Sequence, residues 1–322
     1  MFRTDQPTAA GTLPTPSTAG TPGYFTNGNP ASGIAATILD ADFLNMVQEE
    51  LLNVVAAGGL MPSKTTYTQV RDALIAIQTK NGGDGQCRLT YTSATAVTLL
   101  PESGNALNIG GVAYAIPSAG VVLSNSGLSA STLYWVYAIV SSGAIALQAS
   151  TTGFTQQSDG RYTMSGNTAA RLVGAAYTNA SSQFVSSGTN QNVASFFNRR
   201  PKPFNLGGAN GSTSSTTLTA VNAGTVSCIS FGLDATNVTF VANGYSSVAA
   251  GTWASGILID AASGASTQGL ATSPSAAQIF NNPSFYSGIL AAGYHTLAGA
   301  VNVNTGGGSV TVTGSMIGHT WG

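Results

Sequence analysis

Leu133-Tyr134-Trp135-Val136-Tyr137-Ala138-Ile139-Val140 runs into Ser141-Ser142-Gly143 and then Ile145-Ala146-Leu147. Aromatic and β-branched residues on both sides of a short polar turn containing glycine are the pattern of a β-hairpin. Outward from it the period of two persists. Cys87–Tyr91 and Ala96–Leu100 read as strands, and Ile109-Gly110-Gly111-Val112-Ala113-Tyr114 as a turn between strand ends. Arg171–Tyr177 and Gln183–Val185 read as a further pair around Asn179-Ala180-Ser181. Short strands at this spacing predict a β-sandwich or barrel, taken as a central β-sandwich over 83–200.

Downstream, the two prolines of Pro201-Lys202-Pro203 predict a linker. Strand patterns then resume at Val226–Leu233, Val238–Ala242 and Gly256–Ile259. In a final expected hairpin, His295, Leu297, Val301 and Val303 face one side, Thr305-Gly306-Gly307-Gly308 turns, and Val310-Thr311-Val312 returns. This predicts a second, jelly-roll-like sandwich over 201–322.

Upstream, residues 1–38 read as an extended arm. Pro7, Pro14, Pro16, Pro22 and Pro30 forbid a continuous helix, and the apolar pair Tyr24-Phe25 suits docking on another protein. Residues 39–82 read as helical. Asp40 is a candidate N-cap, and Phe43, Val47, Leu51 and Val54 recur at spacings of four and three on one face, widened by Leu44, Leu52 and Val55. Gly58-Gly59 stops this helix. A second follows at Val70, Ala73, Leu74 and Ile77, ending at Asn81-Gly82-Gly83. Two short helices with broad apolar faces need a partner surface, and further copies of the chain are the obvious one.

The 322 residues carry 10 Lys and Arg against 11 Asp and Glu, and charged residues make up 7%, where about 25% is ordinary. Ser, Thr, Asn, Gln and 40 Gly replace them. A nucleic-acid binder needs a basic footprint, which this balance lacks. No apolar run reaches the roughly 18 residues of a membrane span. Met1-Phe2-Arg3-Thr4-Asp5 does not read as a secretory signal. Cys87 and Cys228, far apart, read as two separate thiols.

Catalytic chemistry finds little footing. The two histidines, His295 and His319, both fall in the last sandwich without a Gly-x-Ser-x-Gly elbow. His295 sits mid-strand and reads as structural. Glycoside cleavage needs two facing carboxylates. From 204 onward Asp234 and Asp260 are the only acids, and both read as turn residues. No clustered set of metal ligands or phosphate-cradling loop is present, so no catalytic residue, metal or cofactor is expected. Copies of His295 or His319 around an axis are one arrangement that would gather ligands; a hydrogen-bonded imidazole is the plainer reading. Sugar rings stack on aromatic faces and take neutral hydrogen bonds. That chemistry points to Asn281, Asn282, Phe285 and Tyr286 in one turn-rich stretch, with Tyr245 and Trp253 in two others, as receptor-binding residues.

Gly20-Thr21-Pro22-Gly23-Tyr24-Phe25, then Asp40-Ala41-Asp42-Phe43-Leu44-Asn45 and Gln48-Glu49-Glu50-Leu51, resemble the N-terminal attachment region of tail-fibre proteins of tailed bacteriophages. Relatives usually carry Trp where this chain has Phe43. Leu133–Ala138, Leu172-Val173-Gly174, Asn179-Ala180-Ser181 and Ala194-Ser195-Phe196-Phe197-Asn198-Arg199-Arg200 resemble a β module of such fibres. The resemblance covers roughly residues 1–200. It implies a homotrimer in the virion tail, assembled in the host cytoplasm. Pro22, Tyr24 and Phe25 would dock on a baseplate or other tail protein, and Phe43, Val47, Leu51 and Val54 would form the trimerisation helix. The far end would meet a host cell-surface glycan or outer-membrane protein.

The expectation is therefore a mainly β chain, with a short N-terminal helical bundle and two β-sandwich domains in an elongated homotrimer. It would be a non-enzymatic receptor-binding fibre without nucleic acid or membrane insertion. A tail-associated polysaccharide depolymerase and a structural spacer carrying another adhesin are the alternatives.

Overall fold

A computed structural model describes residues 2–78, 84–221, 224–261 and 268–322. It contains two α-helices and 21 strands among them, so the chain is mainly β. Two compact units emerge, Met1–Asp84 and Gly85–Gly322.

In the first unit, α1 (Ala41–Ala57) begins where Asp40 Oδ1 accepts the Phe43 N–H at 2.9 Å, the expected cap. The second helix, α2 (Gln69–Gln78), packs on it. The approach is closest where a Cβ on Gly58 would stand 2.5 Å from Ala73 Cα. Leu52, Val55 and Ala73 are buried. The stop expected at Asn81-Gly82-Gly83 lies outside the described residues. Residues 2–38 hold a short 3-10 turn at Pro30–Ser32 and one bridge between Asn29 and Ile34, and apart from Gly28 they are exposed. Polar contacts tie the arm to the helices: Arg3 to Glu49 at 2.6 Å, Ser17 N–H to Asp42 at 2.9 Å, and Lys64 to Asp5 at 2.6 Å.

The second unit opens with β1 (Cys87–Ser93), β2 (Ala96–Pro101), β3 (Ala106–Ile109), β4 (Val112–Ala115) and β5 (Val121–Ser124). There follow β6 (Leu133–Ser141), β7 (Ala144–Ser150), β8 (Phe154–Gln156), β9 (Tyr162–Met164), β10 (Asn167–Tyr177), β11 (Asn190–Gln191) and β12 (Val193–Ser195). The rest are β13 (Pro201–Thr213), β14 (Thr219–Ala220), β15 (Val226–Phe231), β16 (Ala235–Ser246), β17 (Gly251–Ile259), β18 (Gly269–Ser273), β19 (Phe280–Ile289), β20 (Ala292–Thr305) and β21 (Val310–Trp321).

The hairpin expected around Ser141-Ser142-Gly143 is β6–β7, and Ser142 and Gly143 both take positive φ (49° and 79°), as a tight primed turn requires. The β6–β10 sheet is covered on both faces. Val136, Ala138, Val173 and Ala176 join the core beneath β1 and β2. Trp135, Tyr137, Leu172 and Ala175 pack with Phe196 and with Ile229 and Phe231 of β15. Strand β11 also pairs in parallel with β15. The expected domain boundary at 200/201 therefore falls inside one compact unit.

Beyond it, two sheets run in the orders β15-β20-β17-β18 and β13-β21-β16-β19. They share a core of Phe204, Val238, Phe240, Trp253, Ile257, Leu297, Val301, Val312 and Met316.

Several expectations need correction. Pro201-Lys202-Pro203 is not a linker: it starts β13, at the sheet edge, where a residue without an N–H costs no ladder bond. Gln183–Val185 is not a strand. It makes one bridge, Thr178↔Phe184, because Asn179 Oδ1 captures the N–H groups of Ser181 and Gln183. The last two strands are no hairpin either. Gly306–Gly308 carries the chain from one sheet to the other, and β20 and β21 face each other across the core.

Candidate functional site

At the junction of the two halves of the larger unit lies a cleft of 430 Å3, lined by Tyr162, Phe196, Phe197, Arg199, Asp234 and Trp321 among others. The backbone geometry that builds it is local. Ser195, the last residue of β12, accepts the Leu89 N–H at 2.9 Å and donates to the Phe197 carbonyl at 2.6 Å. Asn198 then takes φ 50° while its amide donates to the Gly85 and Cys87 carbonyls at 3.2 and 3.0 Å. This turn presents Arg199. Its Nη1 donates to the Phe196 carbonyl at 3.0 Å, its guanidinium lies 5.3 Å from the Phe196 ring centre, and its Nε stands 2.7 Å from Asp234 Oδ2.

Asp234 lies in the turn between β15 and β16, as its sequence context suggested, and Arg199 is its partner there. Trp321 ends β21, and its Nε1 donates to the Ala235 carbonyl at 3.1 Å. Tyr162 and Phe196 approach at 5.0 Å between ring centres. Aromatic surface beside a neutralised ion pair can stack on a sugar ring and bridge its hydroxyls without selecting net charge. The sequence by itself assigns Phe196, Phe197 and Arg199 no binding role. The available signal was three aromatic or cationic side chains packed into Phe196-Phe197-Asn198-Arg199.

The residues expected at the receptor surface divide in two. Trp253 is fully buried in the core of the last sandwich, and Asn282 is buried beside it, its Nδ2 3.5 Å from the Trp253 carbonyl. Neither can meet a receptor. Tyr286 also packs inward against that core. Tyr245, Asn281 and Phe285 alternate to the outside. All six lie on β16, β17 or β19 rather than in loops.

In the other unit, Tyr24 is almost wholly exposed (99%), and Pro22 is exposed too. Phe25 meets Phe43 edge-on at 4.9 Å. The stripe Phe43, Val47, Leu51 and Val54 is not the seam with α2. Leu52 and Val55 make that seam, leaving Phe43 and Val47 more than a third exposed.

Of Asp234, Asp260, His295 and His319, Asp260 and His295 meet each other, while Asp234 pairs with Arg199 and His319 stands beside Asn237. Asp260 Oδ2 lies 2.7 Å from His295 Nδ1, Asp260 Oδ1 accepts the Thr296 N–H at 2.8 Å, and His295 Nε2 lies 2.8 Å from the Ala291 carbonyl. His295 is thus a strut between the end of β17 and the start of β20. Cys228, opposite it on β15, points into the core, where burial, with Asp260 adding to it, pushes the thiol up to about 12. Cys87 and Cys228 are both buried and form no disulfide with each other. His319 stands 3.3 Å from Asn237 Nδ2 on the other sheet. Among the described residues no three His, Cys, Asp or Glu gather as a metal site, and no helix is long and apolar enough to cross a membrane.

No family model matches the chain. Over 53 residues it is 47% identical to a protein of Escherichia coli called "Uncharacterized protein StfP". That stretch is 16% of this chain and covers 25% of the relative's own length. Among solved structures, the insecticidal delta-endotoxin Cry8Ea1 of Bacillus thuringiensis overlays 73% of this chain on 51% of its own at 8% identity. Its TM-score of 0.21 is too low to carry an argument.

Proposed function

We propose that the chain is a non-enzymatic tail-fibre protein of a tailed bacteriophage, located in the virion tail. In this reading it is a homotrimer. The unit Met1–Asp84 attaches it to a baseplate or other tail protein, and the unit Gly85–Gly322 binds a host cell-surface glycan or outer-membrane protein. The observation that carries the receptor role is the aromatic cleft with its Arg199–Asp234 pair. From Phe204 onward there is no Lys or Arg, and Asp234 is paired with Arg199, which favours recognition through neutral contacts.

Three further observations support the reading. The arm and the half-exposed stripe on α1 are surfaces that a lone chain leaves uncovered. The partial likeness to StfP agrees with a shared segment. The strand orders β13-β21-β16-β19 and β15-β20-β17-β18, in two facing sheets, support a jelly-roll reading of this part. Several copies on several fibres give avidity, so each site need be no tighter than about millimolar.

The test is competition: purified full-length chain against virions for host cells. Wild type is expected to block adsorption with little dependence on salt. Trp321→Ala and Arg199→Ala are expected to lose that block while still showing a cooperative unfolding transition. Point variants are used because β11, Ile229 and Phe231 tie the last sandwich to its neighbour. Full blocking by both variants would overturn the cleft assignment. Shortened capsule or lipopolysaccharide after incubation with the chain would favour a depolymerase, and absence of any competition by wild type a structural spacer.

A further inference from the structure

Asn210, Thr313, Asn243 and Asn281 stand side by side across the sheet β13-β21-β16-β19: Asn210 is paired with Thr313, Thr313 with Asn243, and Asn243 with Asn281. All four are exposed. None of their side chains makes a hydrogen bond among the described residues. On the next outward rung, by contrast, Thr311 Oγ1 donates to Ser212 Oγ at 3.1 Å, and nearer the other end Ser287 Oγ donates to Asn237 Oδ1 at 2.7 Å. Asparagine is a poor strand former, so three on one rung weaken the sheet locally and return no side-chain bond to the protein. The same alternation puts Tyr245 and Phe285 on this face, two residues along β16 and four along β19. Trp321 lies on it as well, eight residues along β21 from Thr313, which is roughly 27 Å at 3.4 Å per residue. The face therefore leads into the cleft that Trp321 lines. The one charged residue on these four strands, Lys202, turns inward, its Nζ donating to the Val193 carbonyl.

We infer that this face binds a neutral polysaccharide chain, which leaves the cleft past Trp321 and crosses the sheet to the Asn210–Asn281 rung. The inference rests on the receptor role proposed above for the cleft, and names its ligand as a run of several uncharged sugars. A primary amide offers two donors and an acceptor oxygen in one plane. That suits neighbouring hydroxyls of a sugar ring, each of which both donates and accepts. Adjacent strands stand about 4.8 Å apart, so four such groups in a row can follow successive hydroxyls along one chain. Tyr245 and Phe285 add ring surface on which sugars stack. A charged polymer finds no counter-charge on the sheet, and nucleic acid would need one. A protein partner would have to desolvate the open amides and match each of them. Sugar hydroxyls, and the waters between them, replace the lost hydration without a fixed register.

The test measures binding of the full chain to two probes: the neutral polysaccharide fraction of host envelopes, freed of anionic material on an anion exchanger, and the same polysaccharide cut to one or two sugars. Wild type is expected to hold the long chains on the order of tenfold more tightly than the fragments, with little change between low and high salt. The double variant Asn243→Ala, Asn281→Ala and the single variant Thr313→Arg alter exposed side chains only. Both are expected to bring the long chains down to the affinity of the fragments and to leave fragment binding in the cleft unchanged. Trp321→Ala is expected to weaken both probes alike. Long chains held by the face variants as tightly as by wild type would overturn the face assignment and leave the cleft standing. A change of mass by light scattering in Thr313→Arg would show that copies of the chain cover the face, and overturn it too. Failure of wild type to bind either probe, with competition against virions intact, would overturn the polysaccharide and leave a protein receptor. Failure of that competition as well would remove the receptor role itself.

Discussion

The ring of Phe240 on β16 lies against the backbone of Gly299 on β20: a Cβ at position 299 would stand 2.5 Å from two ring carbons. The two strands belong to opposite sheets, so this contact helps set the spacing of the last sandwich. Gly299→Ala must displace a fully buried ring, and is expected to destabilise the chain by about 1–3 kcal/mol. Denaturant unfolding measures it. An unchanged midpoint would mean that the ring swings clear.

Trp253 fills the middle of the same core, and its buried Nε1 has no hydrogen-bond partner among the described residues. Trp253→Ala opens a cavity and is expected to cost about 3–5 kcal/mol. Trp253→Phe keeps most of the ring and removes an unpaired donor, so its cost is expected to be well below that of the alanine variant. Host adsorption by the phenylalanine variant should match wild type. Loss of adsorption at full stability would return Trp253 to the receptor surface.

Lys202 yields a pH test. Burial, with the nearby Arg88 charge adding to it, pushes its ammonium down from 10.5 to about 8. Between those values the unfolded chain holds the proton and the folded chain does not, so stability rises with pH across that window and is lowest below it. The gain is on the order of 3 kcal/mol at most. Wild type and Lys202→Met are unfolded in parallel from pH 7 to 10.5. The wild type is expected to gain on the variant as pH rises. The raised Cys228 thiol acts in the opposite direction above about pH 9, but equally in both proteins, so the difference isolates Lys202. A constant difference would contradict the burial of its charge.

Asp40 holds the first turn of α1 through the Phe43 N–H. Asp40→Ala is expected to cost about 1 kcal/mol of local helix stability. Amide exchange at the start of α1 should then speed roughly fivefold. Unchanged exchange would show that packing against the arm, not the cap, holds this end.

What the residues settle among themselves was legible in the sequence. The Ser142-Gly143 turn needs two positive φ values and two flanking strands, all coded within about a dozen neighbouring residues. The Asp40 cap and the 3.6-residue period of α1 are equally local. Alternation also told correctly that His295, Leu297, Val301 and Val303 share one face. Partnership is a different matter, because a period of two states that a strand has a buried side and says nothing of which strand lies beside it. Hence the apparent terminal hairpin is a crossing between sheets, Pro201–Pro203 is an edge strand, and Trp253 and Asn282, turn-like in their local neighbourhood, lie inside. The cleft is the extreme case. Arg199 and Asp234 stand 35 positions apart and meet only because β12, β15 and the end of β21 converge, a coincidence of long-range packing that no window of sequence contains.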